Sequence, residues 1–182
     1  PRSTLFPYTT LFRSEKEIRQ QPASWLRSLN NIDNLRASID SFLTPLLRKP
    51  DLRIVLTGAG TSAFIGDIIA PWLASHTGKN ITAIPTTDLV TNPMDYFSPA
   101  HPLLLVSFAR SGNSPESVAA VELANQFVPE CYHLSITCNE AGSLYQNAVD
   151  SDNACALLMP AETHDRGFAM TSSKIGRASC RE

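Results

Sequence analysis

From residue 53 to residue 158 short apolar runs alternate with amphipathic stretches. The runs at about 53–57, 81–84, 103–108, 132–137 and 154–158 have the length and continuity of buried strands. Between them, about 62–75, 115–127 and 143–148 read as helices, the first ended by Gly78 and the second opened by Pro115. Residues 85–102 carry Pro85, Pro93, Pro99 and Pro102, which predicts loop with one short helix. Upstream, Ile18, Trp25, Leu26 and Leu29 mark a helix that Pro22 should divide. Asp33 or Asn34 should then cap a second helix over about 35–47, whose Leu35, Ile39, Phe42 and Leu46 form one stripe. Residues 163–173 read as a loop entering a last helix.

Five short strands alternating with helices predict an α/β fold, a three-layer α/β/α arrangement on an all-parallel five-stranded sheet, preceded by N-terminal helices. The expected strand order is 2-1-3-4-5, because that doubly wound order sets the turns after strands 1 and 3 side by side at a switch point. Both ends of the chain look foreign to this pattern. Residues 4–14, TLFPYTTLFRS, resemble the translation of a common sequencing-library adapter, and residues 175–182, IGRASCRE, the same adapter in the opposite orientation and another frame. The expected organisation is an adapter-like tail at 1–14, N-terminal helices at 15–50, one domain at 51–173 and a second tail at 174–182.

With 182 residues, 43% of them hydrophobic and 18% charged, the chain is long enough for one well-buried core. A net charge of -2 provides no footprint for nucleic acid or an acidic membrane, so the expected partner is a small molecule. No apolar stretch approaches the roughly 20 residues that span a bilayer, and residues 1–14 lack the plan of a signal peptide, so a cytoplasmic location is expected. Cys131, Cys138, Cys155 and Cys180 form no C-x-x-C pair, and neither a disulfide framework nor a metal site is indicated.

The chemistry concentrates in two turns. In LLLVSFARSGNSPES, Leu103 to Ser117, an apolar run breaks into Ser107, Arg110, Ser111, Gly112, Asn113 and Ser114 and restarts as a helix at Pro115. A helix start presents unpaired N–H groups and the positive end of its dipole; Ser111 and Ser114 add hydroxyl donors and Gly112 lets backbone approach a ligand. A compact oxyanion such as a phosphate monoester fits that turn, although an ordinary Ser N-cap reads the same way. RIVLTGAGTS, 53–62, is a second turn of the same kind, with Thr61 and Ser62 placed much as the serines of the first. Two such turns in one sheet point to one ligand between them.

Other constellations are weaker. Gly58 to Ala63 satisfies the G-x-G-x-x-G/A dinucleotide fingerprint, yet the acid wanted about 20 residues on is replaced by Pro85, Thr86 and Thr87. Gly78-Lys79 lacks the first glycine and the Ser or Thr of a P-loop, and no serine sits in a G-x-S-x-G elbow. Cys131 and Cys155 read as small core residues, His76, His101 and His133 as surface or satisfied, and Glu122, Glu130 and Glu140 as solvated charges. His164, Asp165 and Arg166 follow strand 5 at the sheet edge where such folds place ligands.

AGTS at 59–62, RSGNSPE at 110–116 and DRGFAMTS at 165–172 together resemble a sugar isomerase (SIS) domain, in order and in spacing. Longer stretches, TGAGTSAFIGD, TTDLVTNPMDY and PAETHDRGFAMTSS among them, are similar to the first half of the family's two-domain galactosamine-6-phosphate deaminase/isomerase branch. The resemblance implies that 51–173 is the first of two such domains, in a cytoplasmic, homo-oligomeric enzyme of amino-sugar catabolism that uses no cofactor. It implies that Ser62, Ser111 and Ser114 bind the phosphate of a hexose or hexosamine 6-phosphate, that Gly60, Thr61, Gly112 and Asn113 support them, and that Asp165 and Thr171 approach the sugar. His164 and Asp165 are the catalytic candidates here, since the resemblance implies that the general acid and base come largely from the second domain. The sequence departs from the family pattern at Ala109, usually Ser, and at Asp165, usually Glu; Ser107 or Arg110 is the expected substitute for the first. The same family also supplies non-catalytic sugar-phosphate sensor domains, which stand as the alternative.

Overall fold

The computed structural model describes residues 8–164, with side chains from residue 15 onward. Helix α1 (Tyr8–Leu47) leads into β1 (Arg53–Gly58), α2 (Ala63–Thr77) and β2 (Asn80–Ala83). Two short helices follow, α3 (Thr86–Thr91) and α4 (Pro93–Tyr96), then β3 (Leu103–Ala109), α5 (Pro115–Phe127), β4 (Cys131–Thr137), α6 (Ser143–Val149) and β5 (Ala154–Leu158). The sheet is parallel throughout, in the order β2-β1-β3-β4-β5.

Alternation along the central strands divides the core in two. Ile54 and Leu56 of β1 and Leu104, Val106 and Phe108 of β3 face α1 and α2, whereas Val55, Leu103 and Leu105 face α3 to α5. Val55 and Leu105 are wholly buried, as expected of parallel strands covered on both sides. The chain leaves β1 toward one edge and β3 toward the other, so right-handed crossovers put α2 and α5 on opposite faces and leave a crevice between their starts.

Two expectations are corrected. Residues 85–102 hold two short helices rather than one, with Asn92 non-helical between them and Pro93 starting the second. Pro22 does not divide the N-terminal region, and neither Asp33 nor Asn34 caps a new helix; α1 runs unbroken through all three, with Asp33 paired to Arg36 inside it. The carbonyl that Pro22 leaves unbonded belongs to Ile18, a residue on the solvent side, where water can take the bond.

Along α1 the expected stripe of Leu35, Ile39, Phe42 and Leu46 turns inward, with Leu46 in the core and Phe42 packed against it, but the first half of the helix is unlike the expectation. Ile18, Trp25, Leu26 and Leu29 point outward, Leu26 being 65% exposed, while Glu17 and Ser24 are buried. That polar face meets the open edge of β5 and the residues after it. Asn31 Nδ2 donates to the Leu158 carbonyl at 2.7 Å, Gln20 Nε2 to the Glu162 carbonyl at 2.8 Å, and Arg27 pairs with the Glu162 carboxylate. An edge strand needs its backbone groups covered, and amide side chains do that where leucines cannot. Asn31→Ala is expected to lower stability by about 1 kcal/mol, read by urea denaturation; an unchanged midpoint would show that water replaces the amide without loss.

Candidate anion site

Gly58 pairs with Phe108 at the carboxyl ends of β1 and β3, so the turns that follow leave the sheet side by side. After β1 the chain makes a 3-10 turn over Gly60–Ser62 and enters α2. Gly60 and Thr61 are exposed and Ser62 half-buried. Ser62 makes no side-chain capping bond, so its hydroxyl is not spent on its own helix. It borders a narrow crevice with Ile65, Phe108, Arg110, Ile136 and Cys138, which places it on the same sheet edge as the second turn.

The turn after β3 is bound to the β4–α6 loop. The Arg110 carbonyl accepts from the Cys138 N–H at 3.2 Å and from Thr137 Oγ1 at 3.3 Å. The Ser111 carbonyl accepts from Asn139 Nδ2 at 2.8 Å and the Gly112 carbonyl from the Leu144 N–H at 3.0 Å. Asn113 Oδ1 accepts from the Ser143 N–H and hydroxyl at 2.8 and 2.9 Å, so Asn113 caps α6. Gly112 has φ +65°, which a side chain would strain, and a Cβ on Gly142 would lie 2.3 Å from the Ser111 oxygen.

The serines differ in what they have left to offer. Ser111 Oγ accepts from the Asn113 N–H at 3.3 Å, which leaves its proton free for an anion. Ser114 is the N-cap of α5: its oxygen accepts from the Ser117 N–H at 3.3 Å and its proton goes to Ser117 Oγ at 2.7 Å. It can turn that proton to a ligand only if Ser117 donates instead. Ser107, an expected substitute at the Ala109 departure, is 3% exposed within β3 and out of reach, whereas Arg110 stands at the turn and borders the crevice.

His164 is carried to the same edge by the short turn after β5. Its Nδ1 lies 3.3 Å from the Cys138 carbonyl. A carbonyl only accepts, so Nδ1 holds the proton of the neutral ring and Nε2 is left as the basic nitrogen. Glu162, by contrast, is turned to Arg27 on α1; burial raises its pKa, but its own backbone N–H and Arg27 outweigh that and hold it below the usual carboxylate range. Asp165 and Thr171 lie outside the described residues. Sequence reasoning missed Thr137, Asn139 and Gly142, which are remote in sequence from the turn they hold, Asn139 standing 28 positions after Ser111, and have no motif of their own. Among the described residues no group of three His, Cys, Asp or Glu gathers to hold a metal, and no helix is long and apolar enough to cross a membrane.

Fold and site together define a doubly wound α/β domain with two anion-ready helix starts at its switch point. The profile of the SIS domain matches residues 46–176, and the chain belongs to that family. It is similar to the D-galactosamine-6-phosphate deaminase AgaS of Escherichia coli, with 82% identity over 160 residues that cover 88% of this chain and 42% of that protein. The AgaS deaminase of Shewanella sp. (strain ANA-3) is 50% identical over 165 residues, 89% of this chain and 42% of its own length. The crystal structure of tagatose-6-phosphate ketose/aldose isomerase from E. coli superposes with a TM-score of 0.89 at 79% identity, covering 92% of this chain and 46% of that one. This chain thus spans less than half the length of the relatives it matches. Glucosamine-6-phosphate deaminase from Thermotoga maritima shares the fold at a TM-score of 0.64 and 18% identity.

Proposed function

We propose that this chain is the sugar-phosphate-binding domain of an aldose/ketose isomerase-deaminase, converting galactosamine 6-phosphate to tagatose 6-phosphate and ammonia. The observation that carries the reading is the 82% identity to the E. coli deaminase across 160 residues, a span that contains both anion-ready turns. Ser62, Ser111 and Ser114 bind the phosphate, backed by Gly60, Thr61, Gly112 and Asn113, and Asp165 and Thr171 meet the sugar. In the reaction the ring opens, a base takes the proton from C2, and the enolamine so formed is protonated at C1 to leave an imine at C2. Water hydrolyses that imine to the ketose and ammonia. The substrate's own carbonyl acidifies C2, so the reaction requires no cofactor. The full-length protein works in the cytoplasm as a homo-oligomer, on a small phosphate ester rather than on nucleic acid or a membrane.

The test is Ser111→Ala. Losing a hydrogen bond to a charged group costs about 1 to 3 kcal/mol, which should raise the dissociation constant for tagatose 6-phosphate about 5- to 150-fold in calorimetric titration. An unchanged constant would remove Ser111 from the site.

A further inference from the structure

We infer that Asn139 is a positioning residue for the phosphate turn, acting through the Ser111 carbonyl that it holds; the inference rests on the sugar-phosphate reading above. Three successive carbonyls of the turn, those of Arg110, Ser111 and Gly112, all accept from the β4–α6 loop or from the residues at its two ends, Thr137 and Leu144. In a trans peptide unit the N–H points opposite to the preceding carbonyl, and no peptide bond among the described residues is cis. The N–H groups of Ser111, Gly112 and Asn113 are therefore turned away from that loop; the Asn113 N–H donates to Ser111 Oγ at 3.3 Å, and those of Ser111 and Gly112 are the ones offered to an anion. Gly112, left-handed at φ +65°, is the kind of step that makes successive N–H groups converge on an anion.

Asn139 is the side chain on which this orientation depends most. The Arg110 carbonyl has two donors, one of them a backbone N–H, and the Gly112 carbonyl is held by a backbone N–H. The Ser111 carbonyl is held by Asn139 Nδ2, at 2.8 Å. The amide is fixed at its other end too, because Oδ1 accepts from the Ala141 N–H at 3.2 Å, which also settles which end is nitrogen. Gly142 completes the arrangement by letting the loop come within reach of the Ser111 oxygen. Without Nδ2 the Ser111–Gly112 peptide is free to turn over, which glycine permits at little cost, and a carbonyl oxygen would then face the anion in place of an N–H.

The experiment titrates this chain with tagatose 6-phosphate and with inorganic phosphate, comparing the unmodified chain with Asn139→Ala, Asn139→Asp and Ser111→Ala. Asn139→Ala is expected to weaken binding of both probes about 10-fold. Asn139→Asp keeps the acceptor for Ala141 but not the donor for Ser111, and should weaken binding at least as much. The Gly112 amide signal in a nitrogen-15 spectrum should shift on adding phosphate to the unmodified chain and stay still in Asn139→Ala, a change that a loss of stability alone would not produce. Binding by Asn139→Ala equal to that of the unmodified chain, with Ser111→Ala weakened, would overturn the positioning role and leave the sugar-phosphate reading standing. Failure of the unmodified chain to bind either probe would overturn that reading and this inference with it. Loss of the folded state in both Asn139 variants would make the residue structural and overturn the inference.

Discussion

Mixed with galactosamine 6-phosphate, the 182-residue chain should release ammonia at least about 100-fold more slowly than the full-length E. coli relative, the smallest typical cost of removing one general acid or base. Turnover needs a base at C2, an acid at C1 and attack of water on the imine. Among the described residues at the carboxyl edge, His164 alone combines a fixed tautomer with a free basic nitrogen, and Glu162 is bound to Arg27 on α1. Phosphate recognition asks less: the turns at Gly60–Ser62 and Arg110–Ser114 are both present, so binding should persist where turnover fails. An ammonia assay coupled to glutamate dehydrogenase decides it. Release at the relative's rate, lost in His164→Gln, would place the catalytic groups within this chain.

Acidification from pH 7 to pH 4 should cost the fold about 3 kcal/mol through His133 alone. His133 is 4% exposed and lies among the residues lining a pocket of about 220 Å³ between α5 and α6. Its Nε2 is 2.7 Å from Asn125 Oδ1, an acceptor, so Nε2 carries the proton; Nδ1 is buried without a partner among the described residues. A second proton would sit on that buried nitrogen with nothing to receive it, and burial pushes the pKa down to about 4. Nearby, the Cys131 thiol, 3.5 Å from Nε2, is itself pushed up to about 12 by burial and stays neutral. Glu122 lines the same pocket but is exposed. In the unfolded chain the ring takes its proton near pH 6.5, so between 6.5 and 4 the unfolded state binds more protons. The stabilisation is whole above about pH 6.5 and is lost as the pH falls toward 4. Urea denaturation of the unmodified chain and of His133→Gln at pH 7 and pH 4 tests this: the variant should lose about 3 kcal/mol less on acidification. Equal losses would clear His133 of the effect.

Most of the fold was legible because parallel strands covered on both faces must be apolar throughout, and LLLVSF and RIVL are. Strand order followed from two hydroxyl-rich turns that had to meet. The N-terminal region misled because periodicity shows that a helix has a face, not which face is turned inward. There the partners are the edge of β5, where Asn31 meets the Leu158 carbonyl, and the turn after it, where Gln20 meets the Glu162 carbonyl, and these carbonyls call for amides rather than for Trp25 and Leu29.

By itself the sequence determined the α/β class, the parallel order of the strands, the two helix starts that face one edge and the kinship with SIS domains, since each of these is written in local pattern and spacing. Only the tertiary structure decided how the hydroxyls and carbonyls of those turns are spent. Ser114 is committed to Ser117, Asn113 to the start of α6, and the Ser111 carbonyl to Asn139, while Ser62 makes no cap. A hydrogen bond is satisfied by whichever group the fold brings within about 3 Å, and residues 28 positions apart in the chain meet here only because β3 and β4 lie side by side.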